Sequence, residues 1–316
     1  MVLIKHARVA KKDGERAILS LKGRGLINQE FPISSDDNFV YIPLTGDLED
    51  GEVVEIDTDP RPTRVMATGH AGGFDLIGSI AIIHERSGGR VQSIRDFIIK
   101  VKPNIKTIYL DRGIDGEMRL RNLELLYGDD NPATLYKENG LTMKVDVRST
   151  YFSPRLSTER YIVAKSIRGG EKVFDMFSGI GPFSLNMARL TQCEIEACDI
   201  NPRAVELFRE NISMNKLKGN ISASCGDSYQ YLEDSGDFDR IIMNNPVNQY
   251  RNLEEVLKHL INHGKLNIYY IETIEGIERQ MEFIEEMNMK LLSKRVVHGY
   301  SRNKFMFSLE YERQIR

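Results

Sequence analysis

Lys172-Val173-Phe174-Asp175-Met176-Phe177-Ser178-Gly179-Ile180-Gly181-Pro182 sets out a short apolar strand, a glycine-bearing turn and the first residue of a helix. Proline suits that first helical position because the N–H it lacks would have no intrahelical partner there. The same rhythm recurs downstream. Glu194 to Asp199 reads as a second strand ending on a carboxylate, and Asn201-Pro202 opens a helix with Asn201 as its N-cap. Val205, Leu207, Phe208, Ile212 and Met214 follow at broadly helical spacing. Further strands are expected near Ile221 to Ser224 and at Arg240 to Met243. Helix Leu253 to Ile261, strand Leu266 to Ile271, helix Gly276 to Met287 and a strand pair near Leu291 and Phe305 complete the series. The alternation predicts an α/β domain over residues 151–316, built on a doubly wound, largely parallel sheet of Rossmann-like type. Such sheets bind ligands beyond the carboxyl ends of their strands. Asp175, Asp199, Asp227 and Asn244 all fall at or just after those ends.

Two smaller α+β domains are expected upstream, over residues 1–58 and 59–150. The first holds a helix from Ala17 to Leu26 and strands at Phe39 to Ile42 and Val53 to Ile56. Thr58-Asp59-Pro60-Arg61-Pro62 reads as a linker. The second holds strands Phe74 to Ile77 and Ile80 to Ile83 and a helix from Ile94 to Val101. It ends in a hairpin, with Glu138-Asn139-Gly140 turning Leu135 to Lys137 back onto Leu141 to Val145.

Composition narrows the function by exclusion. Across 316 residues no apolar run approaches the length of a membrane span, and Met1 to His6 lacks a secretory core, so a cytoplasmic protein is expected. Cys193, Cys198 and Cys225 are too few for a disulfide framework and lack the paired spacing of a zinc site; with the histidines scattered, no metal is expected. The net charge of -3 argues against indiscriminate nucleic-acid binding but permits a local basic face.

Gly179 and Gly181 allow the backbone to approach a ligand closely, although an ordinary tight turn would use them as well. A dinucleotide site would carry a third glycine in G-x-G-x-x-G, where this chain has Ser184, and Pro182 offers no amide to a pyrophosphate. Both points favour a cofactor without phosphates. Asp199 is placed to accept from two ribose hydroxyls, or to cap the helix after it. Asp227, followed by Ser228, is placed to accept from an adenine amino group, or again to cap a helix.

The run Phe174 to Ser184, with Asp199-Ile200-Asn201-Pro202, resembles class I methyltransferases. More narrowly, Tyr151-Phe152-Ser153-Pro154-Arg155-Leu156-Ser157-Thr158-Glu159-Arg160, Gly116 to Arg121, Lys137 to Gly140 and Lys294 to Val297 resemble the archaeal and eukaryotic-type tRNA (guanine-37-N1)-methyltransferases. The resemblance covers nearly the whole chain and implies S-adenosylmethionine as methyl donor, S-adenosylhomocysteine as product and tRNA as partner. It implies Asp175, Phe177, Gly179, Gly181, Asp199, Ile200, Asp227, Ser228 and Asn244 around the cofactor, with Arg160 pairing its methionine carboxylate.

Guanine N1 carries a proton and is a poor nucleophile until it is lost. A base beside N1 and a cation at O6 are therefore required. The resemblance assigns these roles to Glu159 and Arg119, with Tyr151 against the flipped base. An unperturbed glutamate is a feeble base, so partial burial is expected around Glu159. Asn244 matches the family's strand-end motif, whereas Asn245 and Val247-Asn248-Gln249-Tyr250 depart from it. Lys100, Lys102, Lys106, Arg112, Arg119 and Arg121, and separately Arg148, Arg155, Arg160, Lys165 and Arg168, are candidates for a salt-sensitive tRNA face. The N-terminal domain is expected to touch a distant part of the tRNA, and the protein to be a monomer. Two other readings are aminocarboxypropyl transfer from the same cofactor and a tRNA-binding protein with a degenerate pocket.

Overall fold

The computed structural model describes residues 2–28, 31–48, 50–58, 73–116, 118–246, 252–301 and 303–314. It divides into two compact units, Met1–Ala71 and Gly72–Arg316. The expected linker positions Asp59 to Pro62 lie outside the described residues. Among those described, no helix is long and apolar enough to cross a membrane.

In the first unit, β1 (Val2–Ala10), β2 (Ser34–Ser35), β3 (Phe39–Pro43) and β4 (Glu52–Thr58) form an antiparallel sheet in the order β2-β3-β1-β4. Helix α1 (Gly14–Gly23) contributes Leu21 to a core with Ala7, Ile42 and Leu44. It lies three residues ahead of the expected span, because Gly25 at φ 69° closes it: Gly25 N–H donates to Lys22 O and Leu26 N–H to Leu21 O.

The second unit opens with β5 (Phe74–Ile77), β6 (Ile80–His84), α2 (Val91–Val101), β7 (Thr107–Asp115) and β8 (Leu120–Gly128). These strands form a sheet in chain order, with β6 and β7 parallel across α2 and the outer pairs antiparallel. The hairpin β9 (Ala133–Glu138) and β10 (Leu141–Asp146) turns through Asn139 and Gly140, both at positive φ, as a two-residue hairpin loop requires.

After α3 (Ser157–Ser166) come β11 (Lys172–Asp175), α4 (Pro182–Leu190), β12 (Glu194–Asp199), α5 (Pro202–Met214), β13 (Asn220–Cys225), α6 (Ser228–Glu233) and β14 (Phe238–Met243). The chain continues through α7 (Leu253–Lys258), β15 (Leu260–Glu272), α8 (Ile274–Glu285), β16 (Met289–Gly299) and β17 (Phe305–Arg313). The seven strands lie in the order β13-β12-β11-β14-β15-β17-β16, parallel from β13 to β15 and antiparallel thereafter. The doubly wound α/β expectation holds. Asn201 caps α5, accepting from Arg203 N–H and Ala204 N–H at 3.0 and 3.3 Å. Strand order reverses between β11 and β14, which opens a crevice beyond their carboxyl ends. Helix α7 stops three residues short of its expected end because Leu260 already pairs with Phe238 in the sheet.

Residues on both sides of position 150 share one core. Ile77, Ile80, Ile82 and Tyr109 belong to the same apolar cluster as Met143, Val145, Phe152, Val163 and Val173. The hairpin is also bound to α5 by side chains that imitate a neighbouring strand. Asn211 Oδ1 accepts from Lys144 N–H at 2.7 Å and its Nδ2 donates to Lys144 O at 3.2 Å. Asn215, one turn later, does the same for Thr142 at 2.9 and 2.8 Å. Asn211→Ala would leave the half-buried backbone groups of Lys144 without these partners and is expected to cost about 1–3 kcal/mol in urea unfolding. A loss below ~0.5 kcal/mol, within the scatter of ordinary surface changes, would show that the hairpin does not depend on this link.

Candidate functional site

Beyond the carboxyl ends of the parallel strands lies a cleft with about 1210 Å³ of free space, part of it open to solvent. Four strand ends supply one wall: Met176 to Gly179 after β11, Asp199 to Asn201 after β12, Gly226 to Tyr229 after β13, and Asn244 with Asn245 after β14. Met118, Arg119, Tyr151, Phe152, Ser153 and Leu156, all earlier in the chain, supply the facing wall.

The glycine turn is organised by Asp199. Gly179, at φ 55°, donates its N–H to Asp199 Oδ2 at 2.7 Å, and Asn201 N–H donates to Oδ1 at 2.9 Å. Burial raises the Asp199 carboxyl above its ordinary range, opposed by these two backbone donors. Each oxygen takes one donor and keeps acceptor capacity for a ligand. Gly181 has a different basis: a Cβ there would fall 1.9 Å from the Phe208 ring, and the residue is not part of the cleft wall. Its glycine is demanded by packing against α5. Asp175 is likewise outside the wall, wholly buried beneath the turn, with Ser184 O–H donating to Oδ2 at 2.7 Å and Oδ1 unpartnered among the described residues. Burial pushes its carboxyl up to about 7 against the Ser184 hydrogen bond.

Asp227 satisfies both sequence readings, since it caps α6 by accepting from Tyr229 N–H at 2.9 Å and also lines the cleft beside Ser228. Phe177 and Tyr229 meet edge to face at 6.2 Å, and Ile200 lies on the same wall. Tyr229 and Asn201 were missed as wall residues. Both sit within two residues of a strand-end aspartate, and that position was the signal that could have found them.

On the facing wall Arg119 occupies a turn at φ 55°, its N–H donating to Gly116 O, and its guanidinium lies 4.2 Å above the Tyr151 ring. Asn244 Oδ1 is buried and has no hydrogen-bond partner among the described residues. Glu117 and Val247 to Tyr250 lie outside them. Glu159 is buried more completely than the partial burial expected, at 3% exposure, and is not one of the residues that line the cleft. Its carboxylate accepts from Ser308 O–H at 2.7 Å, Tyr269 O–H at 3.0 Å and Arg295 Nη2 at 2.8 Å. Arg160 reaches the wall with its Nε and Nη2 forked onto Glu138 at 2.7 and 2.5 Å, an engagement that leaves further N–H groups on Nη1 and Nη2.

The donor set suits an adenosine-type ligand. Two strand-end carboxylates accept hydroxyl and amino hydrogens, an apolar and aromatic wall flanks a ring, and Asn244 offers an unmet acceptor. Among the described wall residues the cations are Arg119 and Arg160, and Arg160 is engaged, so a phosphate finds little to neutralise it. No group of three His, Cys, Asp or Glu among the described residues is placed to hold a metal ion.

A reversing parallel sheet with such a cleft over its switch point places the protein among the doubly wound enzymes that bind a nucleoside-type ligand there, the architecture that methyltransferases share. Residues 134–307 match the TRM5/TYW2 methyltransferase domain, residues 8–53 the tRNA methyltransferase 5 N-terminal domain, and residues 68–131 the TYW2 N-terminal domain. The chain belongs to the TRM5/TYW2 methyltransferase family. It is 34% identical to the tRNA (guanine(37)-N(1))-methyltransferase Trm5b of Pyrococcus abyssi, over 96% of this chain and 97% of that one. The crystal structure of that protein superposes with a TM-score of 0.70 at 32% identity, covering 99% of this chain and all of the other. A solved complex of aTrm5 with tRNALeu gives 0.69 at 26% identity, again over 99% and 100%. The tRNA (guanine(37)-N(1))/4-demethylwyosine(37)-methyltransferase Taw22 of Nanoarchaeum equitans is 30% identical over 77% of this chain and 87% of its own.

The two glycines should separate by experiment. Gly181→Ala is expected to destabilise by about 2–4 kcal/mol, combining overpacking against Phe208 with left-handed backbone strain. Gly179→Ala, whose Cβ meets only Tyr151 O at 3.7 Å, should cost about 1–2 kcal/mol from backbone strain alone. Equal losses in thermal unfolding would remove the packing argument.

Proposed function

We propose that this protein transfers the methyl group of S-adenosylmethionine to N1 of guanosine 37 in the tRNA anticodon loop, releasing S-adenosylhomocysteine. The observation that carries the reading is one cleft with strand-end carboxylates on one wall and the Arg119–Tyr151 stack on the other. The similarity to Trm5b over nearly the whole chain supports this acceptor.

Bound S-adenosylmethionine supplies an electrophilic methyl group. Asp199 accepts from the ribose hydroxyls and Asp227 from the adenine amino group, with Phe177, Ile200, Ser228 and Tyr229 flanking the adenosine. Tyr151 packs against the guanine flipped out of the loop. Loss of the N1 proton places negative charge on O6, and Arg119 meets that charge with a fixed, paired donor set. Asn244 takes a hydrogen from the base edge or from the cofactor with its unmet oxygen. Glu159 is the proposed base for N1. It begins as an acceptor for Ser308, Tyr269 and Arg295, and arrival of guanine exchanges one of those donors for the N1 proton. The domain of residues 1–58 and the middle domain of residues 59–150 both contact the tRNA, and the protein works in the cytoplasm.

Incubation with labelled cofactor and unmodified tRNA carrying G or A at position 37, followed by nucleoside mapping, tests the acceptor. N1-methylguanosine is expected from the G37 transcript alone; an aminocarboxypropyl product, or equal labelling of A37, would overturn the proposal.

A second test concerns the division of labour. Glu159→Gln is expected to slow single-turnover transfer by about 10²–10⁴-fold while cofactor affinity stays within ~2-fold. Asp199→Ala should instead weaken cofactor binding by about 10- to 100-fold, the worth of a charged hydrogen bond. Calorimetry showing lost cofactor binding in Glu159→Gln would make that residue structural.

A further inference from the structure

Arg121 of β8 and Arg160 of α3 are buried, at 8% and 1% exposure, and neither has a part in the chemistry above. Each is neutralised by a buried carboxylate on an adjoining strand. Arg121 Nη1 donates to Asp111 of β7 at 2.5 Å, and Arg160 forks onto Glu138 of β9. Burying such pairs costs solvation that apolar residues would not, so their stabilising value alone is a weak reason for them. What a guanidinium adds is a rigid fan of donors in fixed directions.

The remaining donors converge on one stretch of backbone. Arg121 Nη2 donates to Phe152 O at 3.4 Å, and Arg160 Nη1 donates to Ser153 O at 3.1 Å. These are consecutive carbonyls of a segment that belongs to no sheet, between Tyr151 and the 3-10 turn Pro154–Leu156. One is held from the middle sheet and the other from the helix that carries Glu159. Arg155, in the same turn, adds a tie at its outer end, with Nε donating to Asp75 Oδ1 at 2.8 Å. Tyr151 precedes the held carbonyls, and Arg119, which lies over its ring, stands two residues before Arg121 in the chain.

We infer that the pairs Arg121–Asp111 and Arg160–Glu138 are a two-sided clamp on the Phe152–Ser153 backbone, positioning Tyr151 and Arg119 for the acceptor base. Arg121 acts on both members of that stack, on Tyr151 through the Phe152 carbonyl and on Arg119 through its own strand. The inference rests on the guanine-methylating reading of the cleft. Both arginines are positioning residues, because they act through groups that meet the base.

The test compares Arg121→Lys with Arg121→Met in the full-length protein. Lysine keeps a cation for Asp111 but cannot also hold Phe152 O in the fork geometry; methionine loses both. Arg121→Lys should recover most of the thermal stability that Arg121→Met loses and bind S-adenosylmethionine within about 2-fold of wild type. Its kcat at saturating tRNA should nevertheless fall by about 10- to 100-fold, the scale of a misplaced reacting group. Amide exchange over residues 151–156 should quicken in Arg121→Lys whether or not tRNA is methylated. A wild-type rate in Arg121→Lys, or unchanged exchange over that segment, would overturn the clamp. So would a rate loss that merely follows lost stability and cofactor binding. If wild type itself leaves G37 unmethylated, the functional reading fails, and the exchange measurement still decides the clamp.

Discussion

The carboxylate of Asp199 ties the glycine turn that leaves β11 to the helix cap that follows the neighbouring strand β12. Its oxygens accept from Gly179 N–H, in the turn leaving β11, and from Asn201 N–H, at the cap of α5. Together with the Ser178 amide and hydroxyl, which both donate to Cys198 O, this side chain at the end of β12 holds the turn in place. Both of its donors are backbone amides, so the contact depends on Asp199 itself and on the path of the chain rather than on neighbouring side chains. Burial makes the carboxylate costly in the absence of those amides, so the turn, the cap and the charge form one unit. The Phe177–Tyr229 wall joins the end of β11 to that of β13, where Asp227 caps α6.

The parts of this architecture legible in the sequence are those where local chemistry and tertiary position agree. Asn201-Pro202 declares a helix start, and the structure uses both residues as that chemistry dictates. The short buried strands β11 and β14 announce themselves as apolar runs ending in polar residues. β8 was not legible, because most of its side chains are half-buried or exposed and its Arg, Asn and Glu residues hide the alternation. β1 was missed for a similar reason, with Lys5, His6 and Arg8 interrupting its pattern. The division at residue 150 reflected a change of motif, whereas the core runs through it.

The site shows the same boundary between local and distant information. Asp199 and Asp227 declared themselves by position at strand ends. Gly181 carried a motif's signature, although its left-handed backbone and the ring of Phe208, 27 residues on, are what require it. Glu159 and Arg160 stand side by side in the sequence, yet their partners come from β15, β16 and β17 in one case and from β9 in the other. No spacing rule links position 159 to Arg295 or Ser308. Burial of Glu159 could be anticipated from chemistry, but the identity of the groups that satisfy it could not.

The asparagines of α5 have a consequence beyond holding the hairpin. β9 and β10 form a sheet of only two strands, which ordinarily offers an open edge of N–H and C=O groups to any extended chain nearby. Asn211 and Asn215 stand one helical turn apart and engage Lys144 and Thr142, two residues apart on β10, so a helix takes the place of a third strand. The outer edge of β10 is thereby closed to strand addition along these residues. Along these residues, copies of the protein are denied the strand edge through which they could otherwise pair with one another.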